Sequence, residues 1–307
     1  MKARPRPLVA SSGRRRAAWI PEAAFGACAL VAVGLVGLFV STLAIETVAF
    51  LRAVPVTEFL AGTRWSPFFE DARFGVLPLL AASVQVTAGA CLVALPLGLL
   101  TAVFLEEYAS PRAARIIRSS VDLLAGIPTV VYGYFALTFV TPVLQALWPG
   151  AEVFNWASAA LVVGLMVVPT VASLSADALA GVPRALREAA LGLGATRAQM
   201  ASRILVPAAA PGIAAAVVLA LARAVGETMT VTLAAGNQAR FALNPLEGVQ
   251  TMTAFIAQAS LGGVSGGTIE YSTVFAVGAL LFALTFVMNA VARRILGQGV
   301  RWAGGAA

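Results

Sequence analysis

The chain has 307 residues, of which 60% are apolar and 11% charged, with a formal net charge of +7 and a mean hydropathy of +0.89. Soluble domains carry about 25% charged residues, so this chain lacks the polar side chains to cover a water-facing surface, and its solvent is lipid. The arginines sit in short runs between long apolar stretches, which reports membrane orientation and not nucleic-acid binding.

Lys2 is the only lysine and histidine is absent. A Walker A loop needs a lysine to reach the phosphates, so no nucleotide is hydrolysed here by that route. Imidazole bases, Ser-His-Asp triads and most zinc sites are excluded as well. Cys28 and Cys91 lie in apolar runs without CxxC spacing and are expected to be buried and structural. The sequence calls for no cofactor and no metal.

In chain order, residues 1–18 read as a basic tail, disordered to Arg16, and 19–52 as a first membrane anchor whose apolar core is 23–45. The apolar stretch is too long for a signal-peptide core and no A-x-A cleavage site follows, so it is expected to be retained. An external loop, 53–75, leads to a membrane core at 76–295. A bilayer-crossing helix needs about 20 mostly apolar residues, and further spans are predicted at 76–105, 120–147, 156–179, 208–235 and 272–292. The fold class is therefore all-α integral membrane, with six transmembrane helices. The loop 180–207 between spans four and five and the loop 236–271 before the last span stand out by length. Within the second, Gly248–Leu261 is too short to cross and is expected to be an external interfacial or re-entrant helix. Residues 296–307 form a closing tail.

Basic residues decide orientation. Lys2, Arg4, Arg6, Arg14, Arg15 and Arg16 lie in the first tail, and Arg112, Arg115 and Arg118 lie between spans two and three. Arg184, Arg187, Arg197 and Arg203 follow span four, and Arg293, Arg294 and Arg301 follow span six. The opposite loops hold only Arg52, Arg64, Arg73 and Arg240. The positive-inside rule places both termini in the cytoplasm.

The loop after span four is built as two short helices around a turn. Pro183 suits a first helical turn and Leu186 to Leu193 are mostly good helix formers. Gly192 and Gly194 offer stop and turn positions, and Arg197 to Leu205 form a second helix expected to halt before Pro207. Read alone, this is either a docking knob for another protein or an ordinary interfacial loop. Its residues resemble the EAA loop of ABC importer permeases, with Glu188, Ala189, Ala190, Gly194, Ile204 and Pro207 in register and Val206 in place of the usual leucine. That resemblance implies that the loop docks into a separate ATPase subunit.

Span five carries Arg223, which insertion scales make costly by about 2.5–3.5 kcal/mol at the centre of a membrane helix. Glu227 lies four residues on, on the same face of a continuous helix, and would pair with it. Thr230 and Val231 follow near that face, and Gly226 would admit a close neighbour. The pair is either a structural ion pair, a snorkelling pair near the interface, or a cation site on an anion path, where the guanidinium offers a planar fork to oxyanion oxygens. In that last case Glu227 would orient the arginine or accept a hydrogen bond from a protonated phosphate.

Beyond the EAA loop, the chain is similar to the C-type permease of the bacterial phosphate (Pst) ABC importer. The matching stretches are Phe104–Tyr108, Leu124–Gly133, Arg223–Met229 and Gln250–Ile256, with departures at Ala176 and at Leu80–Ser83. The resemblance implies a type I ABC importer permease in the bacterial plasma membrane. It also implies a phosphate path over Arg223, Glu227, Thr228 and Thr230, and alternating access driven by ATP hydrolysis elsewhere. The implied partners are a second related permease, two ATPase subunits and an external phosphate-binding protein. Rival readings are a permease for molybdate or sulfate, and a non-transporting scaffold. A membrane enzyme is disfavoured by the missing histidine and the absence of an aspartate pair or serine–lysine dyad in the spans.

Overall fold

The computed structural model describes residues 12–304, which are mostly helical. Helix α1 spans Ser12–Ala53 and the short α2 Val56–Ala61, followed by a two-stranded antiparallel hairpin of β1 (Trp65–Ser66) and β2 (Arg73–Phe74). Then come α3 (Leu77–Glu107), α4 (Pro111–Ala125), α5 (Thr129–Leu147) and α6 (Trp156–Ala180). The rest is α7 (Arg184–Gly192), α8 (Arg197–Ala208), α9 (Ala210–Val225), α10 (Met229–Ala234), α11 (Met252–Leu261) and α12 (Ile269–Gly304). The expected first tail overlaps α1 from Ser12 onward, against the disorder expected to Arg16; residues 1–11 lie outside the described residues. The expected closing tail is largely the end of α12.

Among the described residues, five helices are long and apolar enough to cross a membrane: α1 over Ala23–Ala53, α3, α5, α6, and α12 over Ile269–Val291. The pair α8 and α9, bent by 73° at Ala209, makes a sixth where the two are counted as one broken span. The bend corrects the expectation that the loop's second helix halts before Pro207. A π turn at Ala201–Leu205 leads into the last turn, Val206–Ala208, and the chain breaks only at Ala209, ahead of Pro211 at the start of α9.

Two further corrections concern span boundaries. Span three starts at Thr129, not near residue 120, because Gly126-Ile127-Pro128 ends one helix and starts another. Proline disfavours the helical region for the residue before it. The residues ahead of the break form α4, capped by Ser110, with no buried residue, and with Arg112, Arg115 and Arg118 on a helix that also exposes Ile116 and Leu123. This is the pattern of a helix lying at a membrane interface. Span five is also interrupted: α9 ends at Val225 and α10 starts at Met229.

The core is the α3–α6 pair, packed through small residues. A Cβ on Gly98 would lie 2.5 Å from Val171 Cβ, and one on Gly164 would lie 2.9 Å from the Ala90 carbonyl oxygen. Small residues at such crossings let membrane helices approach closely and gain dispersion contact, since lipid supplies no hydrophobic drive between helices. Around this pair α5, α9 and α10 complete a buried cluster that includes Val163, Met166, Val167, Tyr132, Ala220 and Val231.

Helix α1 is exposed over most of its surface and is tied to α12 by Ser272, whose hydroxyl donates to Glu46 at 2.9 Å. Cys91 is buried as expected, but Cys28 is exposed on α1. Helix α11 packs against the bundle: Met252 and Phe255 are buried, Thr251 caps it, and the Met252 amide donates to Ser83 Oγ at 3.0 Å. At ten residues it does not cross.

Candidate translocation and coupling sites

Arg223 lies thirteen residues past the start of α9, about 20 Å along the helix from the bend at Ala209. Its side chain is exposed, and Nη1 donates to Thr170 Oγ1 on α6 at 3.0 Å. Among the described residues no carboxylate lies within ion-pair distance of it. The expected Arg223–Glu227 pair is therefore not formed. The two residues share no helix, because Gly226 ends α9 and the chain turns before α10. Nor does Gly226 meet a close neighbour; a Cβ there would touch only the carbonyls of its own last turn, at 3.4 Å or more.

Glu227 is spent on the break itself. It is buried, and Oε1 accepts from the Thr230 amide at 3.1 Å and lies 2.9 Å from the Thr230 hydroxyl. The same hydroxyl lies 3.0 Å from the Thr129 carbonyl, so its single proton serves one of two acceptors and joins the start of α5 to that of α10. The Thr253 hydroxyl donates to the Glu227 carbonyl at 2.8 Å, bringing in α11. Thr228 donates to the Gly226 carbonyl at 3.2 Å and is half-buried. Irregular backbone at membrane depth survives where protein or a water-filled cavity satisfies it, and here Glu227, Thr230 and Thr253 do so. Of the four residues expected on the path, Arg223 alone faces outward with a charged head, and Glu227 and Thr230 form the scaffold behind it.

The loop 180–207, expected to couple to an ATPase, is a helix–turn–helix. Gly194 sits at φ +82°, the left-handed region that glycine enters without cost. Thr196 starts α8 with a reciprocal cap, its hydroxyl accepting from the Gln199 amide while Gln199 Oε1 accepts from the Thr196 amide. Ala190 is buried against Ala176, Leu179, Met200 and Leu205, and Ile204 packs on the same cluster. Glu188, Ala189 and Pro207 face outward, and Leu186, Leu191 and Leu193 expose apolar surface, Leu193 to 90%. Arg187 holds the loop to the bundle through an ion pair with Glu107 at the end of α3, and its Nη2 donates to the Leu179 carbonyl at 2.7 Å.

At the opposite end of the bundle, Glu152 accepts from Arg240 Nη2 through both oxygens at 2.7 Å and from the Gly248 amide at 2.8 Å. The Arg240 hydrogen bond, followed by that of Gly248, holds the Glu152 carboxyl below the usual range. Thr170 and the Glu152–Arg240 link both escape a reading of motifs. The one signal for Thr170 in the sequence is a hydroxyl directly after Pro169 inside an apolar run.

A helical bundle with five to six candidate membrane spans, an amphipathic helix at its edge and an exposed helix–turn–helix defines a multi-pass membrane permease subunit. The chain belongs to the family described as the binding-protein-dependent transport system inner membrane component, whose profile matches residues 94–301. It is 34% identical over 264 residues to the probable ABC transporter permease protein YqgH of Bacillus subtilis, covering 85% of each chain. It is 34% identical over 257 residues to the phosphate transport system permease protein PstC of Mesorhizobium japonicum, covering 78% of this chain and 77% of that one. The fold is that of a type I ABC importer permease. A chain of the bacterial alginate ABC transporter, in complex with an alginate-bound periplasmic protein, superposes with a TM-score of 0.63 at 20% identity, over 90% of this chain and 96% of that one. A chain of the MetNI methionine ABC transporter gives 0.53 at 20% identity, over 72% and 94%.

Proposed function

We propose that this chain forms one half of the pore of a phosphate importer in the bacterial plasma membrane, with both termini in the cytoplasm. The observation that carries the reading is Arg223, an exposed guanidinium about 20 Å from the coupling bend with no carboxylate partner among the described residues. A cation at that depth is costly unless it faces an aqueous path or an anionic ligand. The similarity to PstC of Mesorhizobium japonicum and of Haemophilus influenzae, 34% and 32% identical, supports phosphate as that anion. A second, related permease would close the pore around Arg223. One of two ATPase subunits would grip the exposed Leu186, Leu191 and Leu193 of the coupling loop, and an external phosphate-binding protein would deliver substrate.

Nucleotide-driven movement of the coupling loop would reach the pore through two links: Arg187 to Glu107 on α3, and the 73° bend from α8 into α9, which carries Arg223. Alternating access then exposes Arg223 first to one side and then to the other. The guanidinium binds the anion, while Glu227 and Thr230 keep the broken span in shape. The test is ATP-dependent uptake of labelled phosphate into proteoliposomes holding all the subunits, in competition with sulfate and molybdate. Uptake unaffected by either competitor is expected; uptake of a competitor in place of phosphate would keep the permease and discard phosphate.

A further inference from the structure

Most hydroxyls in the membrane helices of this chain are turned inward on their own helix. Ser83, Thr87, Thr101, Thr138 and Thr285 each donate to the carbonyl four residues back, at 2.7–3.0 Å, the usual way for Ser and Thr to hide a donor in an apolar helix. Thr170 departs from this. Its one hydrogen bond among the described residues is as an acceptor, from Arg223 Nη1 at 3.0 Å, so its own O–H proton has no protein acceptor there. It lies fourteen residues from the start of α6 and ten from its end, about 21 and 15 Å from the two ends. It is half-buried, beside an exposed guanidinium.

A hydroxyl has one donor and two acceptor lone pairs, and a guanidinium has five N–H donors. With one N–H given to Thr170, the guanidinium keeps four, and the hydroxyl keeps its proton. The two groups together thus present five donors against one remaining lone pair on the Thr170 oxygen, in the middle of the span. An acceptor-rich ligand complements such a set, and a tetrahedral oxyanion, with oxygens on several sides, meets a planar fork and a hydroxyl at once.

We infer that Thr170 is a further anion-binding residue of the path, donating its hydroxyl proton to the same oxyanion that Arg223 binds while fixing the guanidinium through its oxygen. This rests on the reading of Arg223 as the anion-binding residue. Removing the hydroxyl takes away one hydrogen bond to a charged ligand and frees the guanidinium to rotate. Its loss is expected to weaken anion binding about tenfold.

The experiment uses the purified complex of both permeases and the ATPase, without the binding protein, and measures affinity for inorganic phosphate, sulfate and molybdate by calorimetry. Unfolding temperature is recorded without anion. Thr170→Val keeps the shape and removes the hydroxyl; Thr170→Ser keeps the hydroxyl. The expected result is phosphate binding about tenfold weaker in Thr170→Val, restored to within about twofold in Thr170→Ser, with equal unfolding temperatures. The same pattern for sulfate or molybdate alone would retain Thr170 and discard phosphate. Equal affinity in wild type and Thr170→Val, with or without a lowered unfolding temperature, would overturn the inference and leave the importer reading standing. Absence of binding by the wild type to all three anions would overturn both.

Discussion

Glu227 closes the break in the fifth span on Thr230: one carboxylate oxygen lies 2.9 Å from the hydroxyl and 3.1 Å from the backbone amide of the same residue. A buried amide without an acceptor costs about 1–3 kcal/mol. Glu227→Ala is therefore expected to destabilise the complex by that amount, and Glu227→Gln, which keeps an acceptor oxygen, by less than about 1 kcal/mol. Chemical unfolding of the purified complex measures both. Equal losses would show that the carboxylate charge, and not its geometry as a cap, holds the break.

The link from coupling loop to bundle is the Arg187–Glu107 pair, with side chains 20% and 6% exposed. Removing one partner of a buried pair leaves an uncompensated charge and costs about 3–5 kcal/mol. Arg187→Met is expected to fall in that range, and adding Glu107→Gln to recover much of the loss. Unfolding of the two single variants and the double variant closes the cycle; additive losses would mean that the pair contributes no coupling.

Close packing of α3 on α6 depends on Gly98, where a Cβ would lie 2.5 Å from Val171 Cβ and 3.2 Å from the Ala172 amide nitrogen. Overpacking of this kind costs about 1–3 kcal/mol. Gly98→Ala should show that loss. Gly150→Ala should not, because a Cβ there meets nothing within 4 Å. The comparison is read by unfolding, and identical stabilities would contradict the tight crossing.

The Glu152–Arg240–Gly248 link has a pH signature. The folded carboxyl titrates below its ordinary value of 4.5, so its contribution is fully present above that pH and disappears as pH falls through the lower folded value. Glu152→Gln should thus be less stable than wild type at pH 7, with the gap narrowing below about pH 4.5. Both partners are more than one-third exposed, so the gap should also shrink in high salt. A gap that widens on acidification would contradict the assignment.

Long apolar runs made the spans legible, and the spacing of Pro183, Gly192 and Gly194 made the helix–turn–helix loop legible, because both depend on local chemistry. The breaks were less so. Gly126-Ile127-Pro128 carries its own local signal in the proline, yet apolarity ran on through it and hid the boundary. The break at Gly226–Thr228 has no such signal. It is held by Thr253 on the Glu227 carbonyl and by Thr129 near Thr230, partners 26 and 101 residues away. A four-residue spacing of Arg223 and Glu227 implies a pair only in a continuous helix, and tertiary hydrogen bonds decide that this one is not. Thr170, 53 residues from Arg223, belongs to the same long-range class.

The central claim is that Arg223 binds the transported anion. The measurement that tests it is ATP-dependent uptake of labelled phosphate by the complete reconstituted complex, wild type against Arg223→Ala, with subunit assembly and ATP hydrolysis recorded on the same preparations. An assembled, hydrolysing complex in which Arg223→Ala abolishes uptake is the expected result. Unaltered uptake in that variant would contradict the anion path while leaving the family and the fold in place.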